Sequence, residues 1–148
     1  MALVLRETNY TLDVDLLLED GAAAIVADGA GSAILDMGAA RVVGDIVIDI
    51  SAITTGGASD ETYTIIAELS DSATHASGIE HACMVQVGGI PAAVLGNRDI
   101  TSDVGRYILP FVNQANSRQY RFLQLHVDVT GTTPSITFIA HLAIAKSL

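Results

Sequence analysis

Apolar and polar positions alternate along most of the chain, and that period of two predicts strands. In "GDIVIDISAI", Ile46, Ile48 and Ile50 fall on one face and Asp45, Val47 and Asp49 on the other. In "TYTIIAELS", Tyr63, Ile65, Ala67 and Leu69 share a face, against Thr62, Thr64, Ile66 and Glu68. "SAILDMG" (Ser32 to Gly38) is a short apolar strand, and "HACMVQVGGI" is another, ended by Gly88 and Gly89. "RYILPFV" is a strand at an edge or a bulge, because Pro110 cannot donate to a ladder. "LDVDLLLEDGAAA" (Leu12 to Ala24) is the best helix candidate, but Leu12, Val14 and Leu16 alternate with Asp13 and Asp15, which favours a strand over Thr11 to Leu17.

The strongest pattern closes the chain. "YRFLQLHVDV" and "SITFIAHLAI" flank "TGTTP", and a hairpin turning at Thr130 to Ser135 sets Val129 against Ile136, Val127 against Phe138, Leu125 against Ala140 and Leu123 against Leu142. All eight fall on one apolar face, and a slip of one residue would turn the set over. Between the strands, "TTGGASDE", "DSATHASGIE" and "NQANSR" read as loops, and "DGAGSA" (Asp28 to Ala33) and "TTGGAS" (Thr54 to Ser59) as flexible Gly-rich loops. "PAAVLGNRDITSDVG" reads as a long connection with room for one short strand. About eight strands result, with no fixed repeat and no linker. That pattern predicts an all-β, antiparallel two-sheet sandwich or a barrel.

Composition adds limits. The 148 residues suit one domain, and half of them are apolar, too many for a disordered chain. No apolar run approaches the ~18 residues of a membrane span. The opening "MALVLRETNY" lacks the basic start and cleavage site of a secretory signal, so synthesis in a cytoplasm is expected. The net charge of −10 leaves seven scattered basic residues, which argues against nucleic acid and suits a basic partner or a salty medium. The single cysteine, Cys83, excludes an internal disulfide, and its apolar context reads as a buried, inert thiol.

Candidate chemistry is sparse. In the hairpin register His126 and His141 form a diagonal pair with Asp128 on the same face, a possible imidazole–carboxylate metal site. The plainer reading is two histidines on a half-exposed face or at a subunit contact. His75 and His81 flank "ASGIE" with no Cys or His partner at zinc-ligand spacing. Asp13 and Asp15 form a D-x-D, and Asp20-Gly21 and Asp28-Gly29 read as turns; no segment supplies an EF-hand. Neither Gly-rich loop is a phosphate loop, and no G-x-S-x-G elbow is present. The seven aromatics fall mostly on apolar faces, and there is no Trp to serve as a sugar platform. No catalytic, cofactor-binding or metal-ligating residue is assigned.

Three segments, "GSAILDMGAARVVGDIVIDIS", "ETYTIIAELSDS" and "GRYILPFVNQANSRQYRFLQLHVDVTGTTPSITFIAHLA", carry a resemblance over about two thirds of the chain. The matching motifs are Leu35-Asp36-Met37-Gly38, Ala67 to Asp71, and Tyr120 to Phe138; the stretch from Ala73 to Thr101 departs most. In these positions the chain resembles the capsid cement, or decoration, proteins of tailed bacteriophages. The resemblance implies a small jelly-roll sandwich on the outside of an icosahedral head. Such a protein joins neighbouring major capsid subunits, commonly as a dimer or trimer, and uses no cofactor, reaction, nucleic acid or membrane. Met1 to Tyr10 could serve as an extended arm that adds a strand to a neighbour, or as an ordinary first strand, and "AIAKSL" is open in the same way. Two other classes stand beside this one. One is a carbohydrate-binding or adhesin module, with or without calcium; the other is a cupin-type enzyme using His126, His141 and Asp128 on a metal.

Overall fold

The computed structural model describes residues 14–55, 60–90 and 100–144. The proposed arm, Met1 to Tyr10, and residues 145–148 lie outside them. After a 3-10 turn at Val14–Leu16 come β1 (Leu17–Glu19), β2 (Gly29–Asp36), β3 (Val43–Ile53), β4 (Thr62–Ser70), β5 (Glu80–Ile90) and β6 (Ile100–Thr101). Then follow β7 (Gly105–Val112), β8 (Gln114–Ala115), β9 (Arg118–Gln119), β10 (Phe122–Thr130) and β11 (Ile136–Ile144). Eight of these strands have three residues or more.

Two antiparallel sheets form the sandwich, one ordered β1-β11-β3-β7 and the other β2-β10-β4-β5-β6, with β8 and β9 as a separate two-stranded ribbon. Counting only the eight longer strands, the first pairs with the eighth, the second with the seventh, the third with the sixth and the fourth with the fifth. That is one long antiparallel ribbon rolled on itself, the jelly-roll. Every connection between consecutive longer strands crosses from sheet to sheet except the β4–β5 hairpin.

The inward faces are those the alternation marks. Ile46, Ile48 and Ile50 are buried from one sheet, and Tyr63, Ile65, Ala67 and Leu69 have no exposed surface on the other. Leu123, Leu125, Val127, Ile136, Phe138, Ala140 and Leu142 join them in one core, with Val129 packed partly buried against it. Each fully buried Leu, Ile or Phe stabilises the fold by about 1.5–3 kcal/mol relative to exposure.

Several expectations are corrected. β10 and β11 are not a hairpin: β10 pairs with β2 and β4, and β11 with β1 and β3. Their eight apolar residues face each other across the core from different sheets. The strand expected over Thr11 to Leu17 is instead a 3-10 turn followed by β1, and the part up to Asp13 lies outside the described residues. The fully buried Leu18 sets that strand, not Leu16. "DGAGSA" is no flexible loop, since β2 begins at Gly29. A Cβ on Gly31 would stand 3.0 Å from the Leu18 carbonyl oxygen and 3.3 Å from Leu125 Cβ, so the glycine serves close packing. β5 runs on through Gly88 and Gly89. "NQANSR" holds the β8–β9 ribbon, whose two turn residues, Asn116 and Ser117, have φ of 52° and 61°, as a type I′ turn requires. Pro110 lies on β7, at the end of its sheet, as a missing N–H requires.

Candidate functional site

His126 and Asp128 alternate with the buried Leu125 and Val127, so they point outward from the five-stranded sheet. His126 stands between Ala30 and Ile66. His141 alternates with the buried Ala140 and Leu142 and points outward from the four-stranded sheet, between Leu17 and Val47. The two histidines therefore lie on opposite outer surfaces, with a core about 10 Å thick between the sheets. They cannot converge on one ion with Asp128, and the metal site drawn from the hairpin register does not form. Among the described residues, no three His, Cys, Asp or Glu side chains stand in ligating geometry.

The remaining sequence candidates take structural places. Asp13 lies outside the described residues, and Asp15 is exposed in the 3-10 turn. Asp20 accepts the Ala22 N–H at 2.9 Å, the turn its Asp-Gly pattern predicts. Asp28 accepts the Val129 N–H at 2.7 Å and so ties the approach to β2 onto β10. Cys83 is half-buried, and burial pushes its thiol up to about 11, leaving almost no thiolate at neutral pH. Tyr63, Phe111, Tyr120 and Phe138 are buried and Tyr107 and Phe122 half-buried, so no described aromatic is an open platform.

One end of the sandwich gathers the polar architecture. There β2 ends, β4 turns into β5, and β8 and β9 lead into β10. Asn113 has no exposed surface and every side-chain hydrogen-bonding group in use. Its Oδ1 accepts the Val42 N–H at 2.8 Å, and its Nδ2 donates to the carbonyls of Ala40 at 3.1 Å and Tyr120 at 2.9 Å. Arg121 forks onto Asp36 at 2.8 and 2.7 Å, while its backbone N–H donates to Asp71 at 3.2 Å. The Arg121 guanidinium, aided by the Gly38 N–H, holds the Asp36 carboxyl down to about 2. Arg118 reaches Asp71 at 2.6 Å and lies over the Tyr120 ring, 5.3 Å from its centre. A cleft of about 310 Å³ opens beside this pair, lined by Asp71, Ser72, Ser77, Gly78, Arg118 and Tyr120. Arg106, elsewhere on the surface, forks onto Asp49 at 2.6 and 2.8 Å. Three of the four described arginines are thus neutralised in pairs, and they make no basic patch.

Beside the same end, the β4–β5 loop brings His75 back toward the outer face of β4. His75 Nδ1 lies 4.0 Å from Glu68 Oε2, and His81 Nε2 lies 3.6 Å from Glu68 Oε1. Sequence reading weighed the two histidines but passed over Glu68. It comes from the preceding strand, and only the pairing of Glu68 with His81, reached through a bulge, places it between them. The hub role of Asn113 was missed as well, because a buried asparagine at a strand end looks like any loop residue.

No protein-family model matches the chain, and no curated protein matches it at significant similarity.

Proposed function

We propose that the chain is a structural viral protein, a capsid cement protein that binds the outside of a phage head and stabilises contacts between major capsid subunits. One observation carries the reading. The three motifs of the resemblance, far apart in sequence, each send a residue to one end of the same sheet, where Asp36, Asp71 and Arg121 are clamped together. Asp36 ends β2, Asp71 follows β4, and Arg121 enters β10 between them and binds both. The motif positions therefore have a common physical role: they fix the geometry of the end where three strands and two loops meet. A rolled ribbon with one continuous core supplies a rigid body, which a protein that acts by burying surface against its partners requires. The partners would be the major capsid protein and further copies of the chain, and the place of action the capsid exterior.

The test is cryo-electron microscopy of the source virion, together with co-sedimentation of the purified chain with expanded capsids. Density of this shape on the outer head supports the reading. An undecorated head and no co-sedimentation would remove it. Binding on a glycan array without capsid binding would transfer the assignment to a carbohydrate-recognition module.

A further inference from the structure

We infer that the outer face of the four-stranded sheet is the docking surface of the chain's own N-terminal segment, residues 1–13, which crosses β11 and β3 as a strap; the inference is independent of capsid binding.

Val47 points away from the core and is nevertheless sealed. Its neighbours Ile46 and Ile48 belong to the core and Val47 does not, yet it has no exposed surface. Ala143 and Asp45, paired in the next outward row, are 7 % and 8 % exposed. Further along, the same face is open: Ile139, opposite Asp49, is 41 % exposed, and Ser51 is exposed. A solvated sheet face wets its outward side chains throughout, so a cover lies over this band alone. The sandwich has two layers, and among the described elements neither sheet lies over the band.

The band starts where the segment enters the fold. Leu17 on β1 pairs with His141, His141 with Val47 and Val47 with Ile108, so the row runs straight from the strand that residues 1–13 lead into. Neighbouring strands are about 4.8 Å apart, which puts β3 about 10 Å and β7 about 14 Å from β1. Residues 1–13, extended, reach about 43 Å, ample for the crossing. The pattern fits as well. Tyr10 and Leu12 alternate with Thr11 and Asp13, which gives the segment an apolar side for Val47 and Ala143 and a polar side for water. Other segments are badly placed. Residues 91–99 leave and rejoin the opposite sheet at the paired Ile90 and Ile100. They can go out only about 15 Å before returning, less than the roughly 20 Å around a sandwich edge to the far outer face. Residues 145–148 continue β11 away from Val47, which stands opposite His141. The crossing takes up about five residues, so residues 1–8 are what is left to reach a neighbour.

The experiment is nuclear Overhauser spectroscopy of the full chain, reading contacts from the Val47 methyl groups. Contacts to Tyr10 or Leu12 within one chain are expected. Contacts to residues 91–99 or 145–148 overturn the proposal, and so do contacts between labelled and unlabelled copies in a mixed sample, which would assign the strap to a neighbour. Thiol labelling gives a second readout. In a Cys83→Ser background, Val47→Cys should react with a soluble thiol reagent at least about tenfold more slowly than Met84→Cys, whose parent side chain is exposed, because a covered thiol reacts only through local opening. Adding Tyr10→Asp and Leu12→Asp should remove most of that protection. Equal rates at the two positions, or protection that the paired aspartates leave unchanged, overturn the strap as well. The Overhauser contacts need no substitution, so they decide the matter where a variant fails to fold.

Discussion

Asn113→Ala removes three side-chain hydrogen bonds at one buried point. The amide holds the Val42 N–H and the carbonyls of Ala40 and Tyr120 at 2.8–3.1 Å. The two backbone bonds of Asn113, to Val42 at 3.1 Å and from Tyr120 at 2.9 Å, survive the substitution. At about 1 kcal/mol net per bond, the loss comes to about 3 kcal/mol. In a chain of this length each kcal/mol moves the melting temperature by about 2–4 °C, so the midpoint should fall by about 6–12 °C. Urea unfolding followed by circular dichroism measures the loss, and the slope should not change, because the core surface exposed on unfolding stays the same. Asn113→Asp sharpens the test. It keeps shape and acceptor but turns the donor that faces two carbonyls into an oxygen. The neutral acid can still donate to one of them, whereas the carboxylate repels both, so folding raises the introduced carboxyl above its ordinary value of about 3.9. The native state then holds the proton more tightly than the unfolded chain does. The variant's stability relative to the parent therefore falls as pH rises from about 4 through the raised value. Asn113→Asp should resemble Asn113→Ala at pH 7 and approach the parent near pH 4. An alanine cost below about 1 kcal/mol, or a pH-independent aspartate cost, would refute the clamp.

Three further outcomes test other parts of the fold. Tyr63→Phe removes a hydroxyl that donates to the Thr54 carbonyl at 2.6 Å and accepts the Ser135 N–H at 2.8 Å, and should cost about 1–3 kcal/mol in urea unfolding; an unchanged midpoint would mean that it pins neither segment. Gly31→Ala should destabilise by about 1–3 kcal/mol through overpacking against Leu18 and Leu125, whereas a flexible glycine would gain stability from the same change. Asp36, held at about 2 by Arg121, favours the folded state above the ordinary carboxylate value, and that contribution disappears as pH falls from about 4 through 2. Melting curves of the parent and Arg121→Gln should therefore converge toward pH 2, and a gap that stays constant with pH would rule out the pair as its source.

The faces of the long strands were legible in the sequence because burial writes itself into the period of two. β3, β4 and β10 show it directly, with each predicted inward residue buried or packed against the core. The short elements were less legible. β1 has three residues and β8 and β9 two each, too few to show a period. Their places rest on particular bonds: the Glu19 carboxylate accepts the Ser32 N–H at 2.9 Å, and Asn113 anchors the β8–β9 ribbon. The charge clamp was half legible. Asp36, Asp71 and Arg121 sit in recognisable motifs, but contacts spanning 50 and 85 residues become visible only when the ribbon is rolled. His126 and His141 went astray for a different reason, since their pairing was inherited from the hairpin.

That hairpin shows what alternation leaves undetermined. Eight apolar residues on two strands joined by a short turn satisfy two arrangements equally: side by side in one sheet, or face to face across a core. The period is the same in both, and each buries the same side chains. The contacts of the turn with the rest of the chain decide between them. A Cβ on Gly131, whose φ is +113°, would stand 2.7 Å from Glu61 Cα. Glu61, almost wholly buried, accepts both the Thr133 N–H at 3.3 Å and its hydroxyl at 3.2 Å. Ser135 bonds the Tyr63 hydroxyl and accepts the Thr54 N–H at 2.9 Å. The turn from β10 to β11 is therefore seated on the connection from β3 to β4, and both cross between sheets at the same end. Crossing also pairs each strand on both edges, β10 with β2 and β4, β11 with β1 and β3, so their backbone groups are satisfied inside the sheets. The sequence feature that marks this arch lies outside the turn, in the buried Glu61 and Tyr63 two residues apart at the start of β4, whose polar atoms need the partners that the turn supplies.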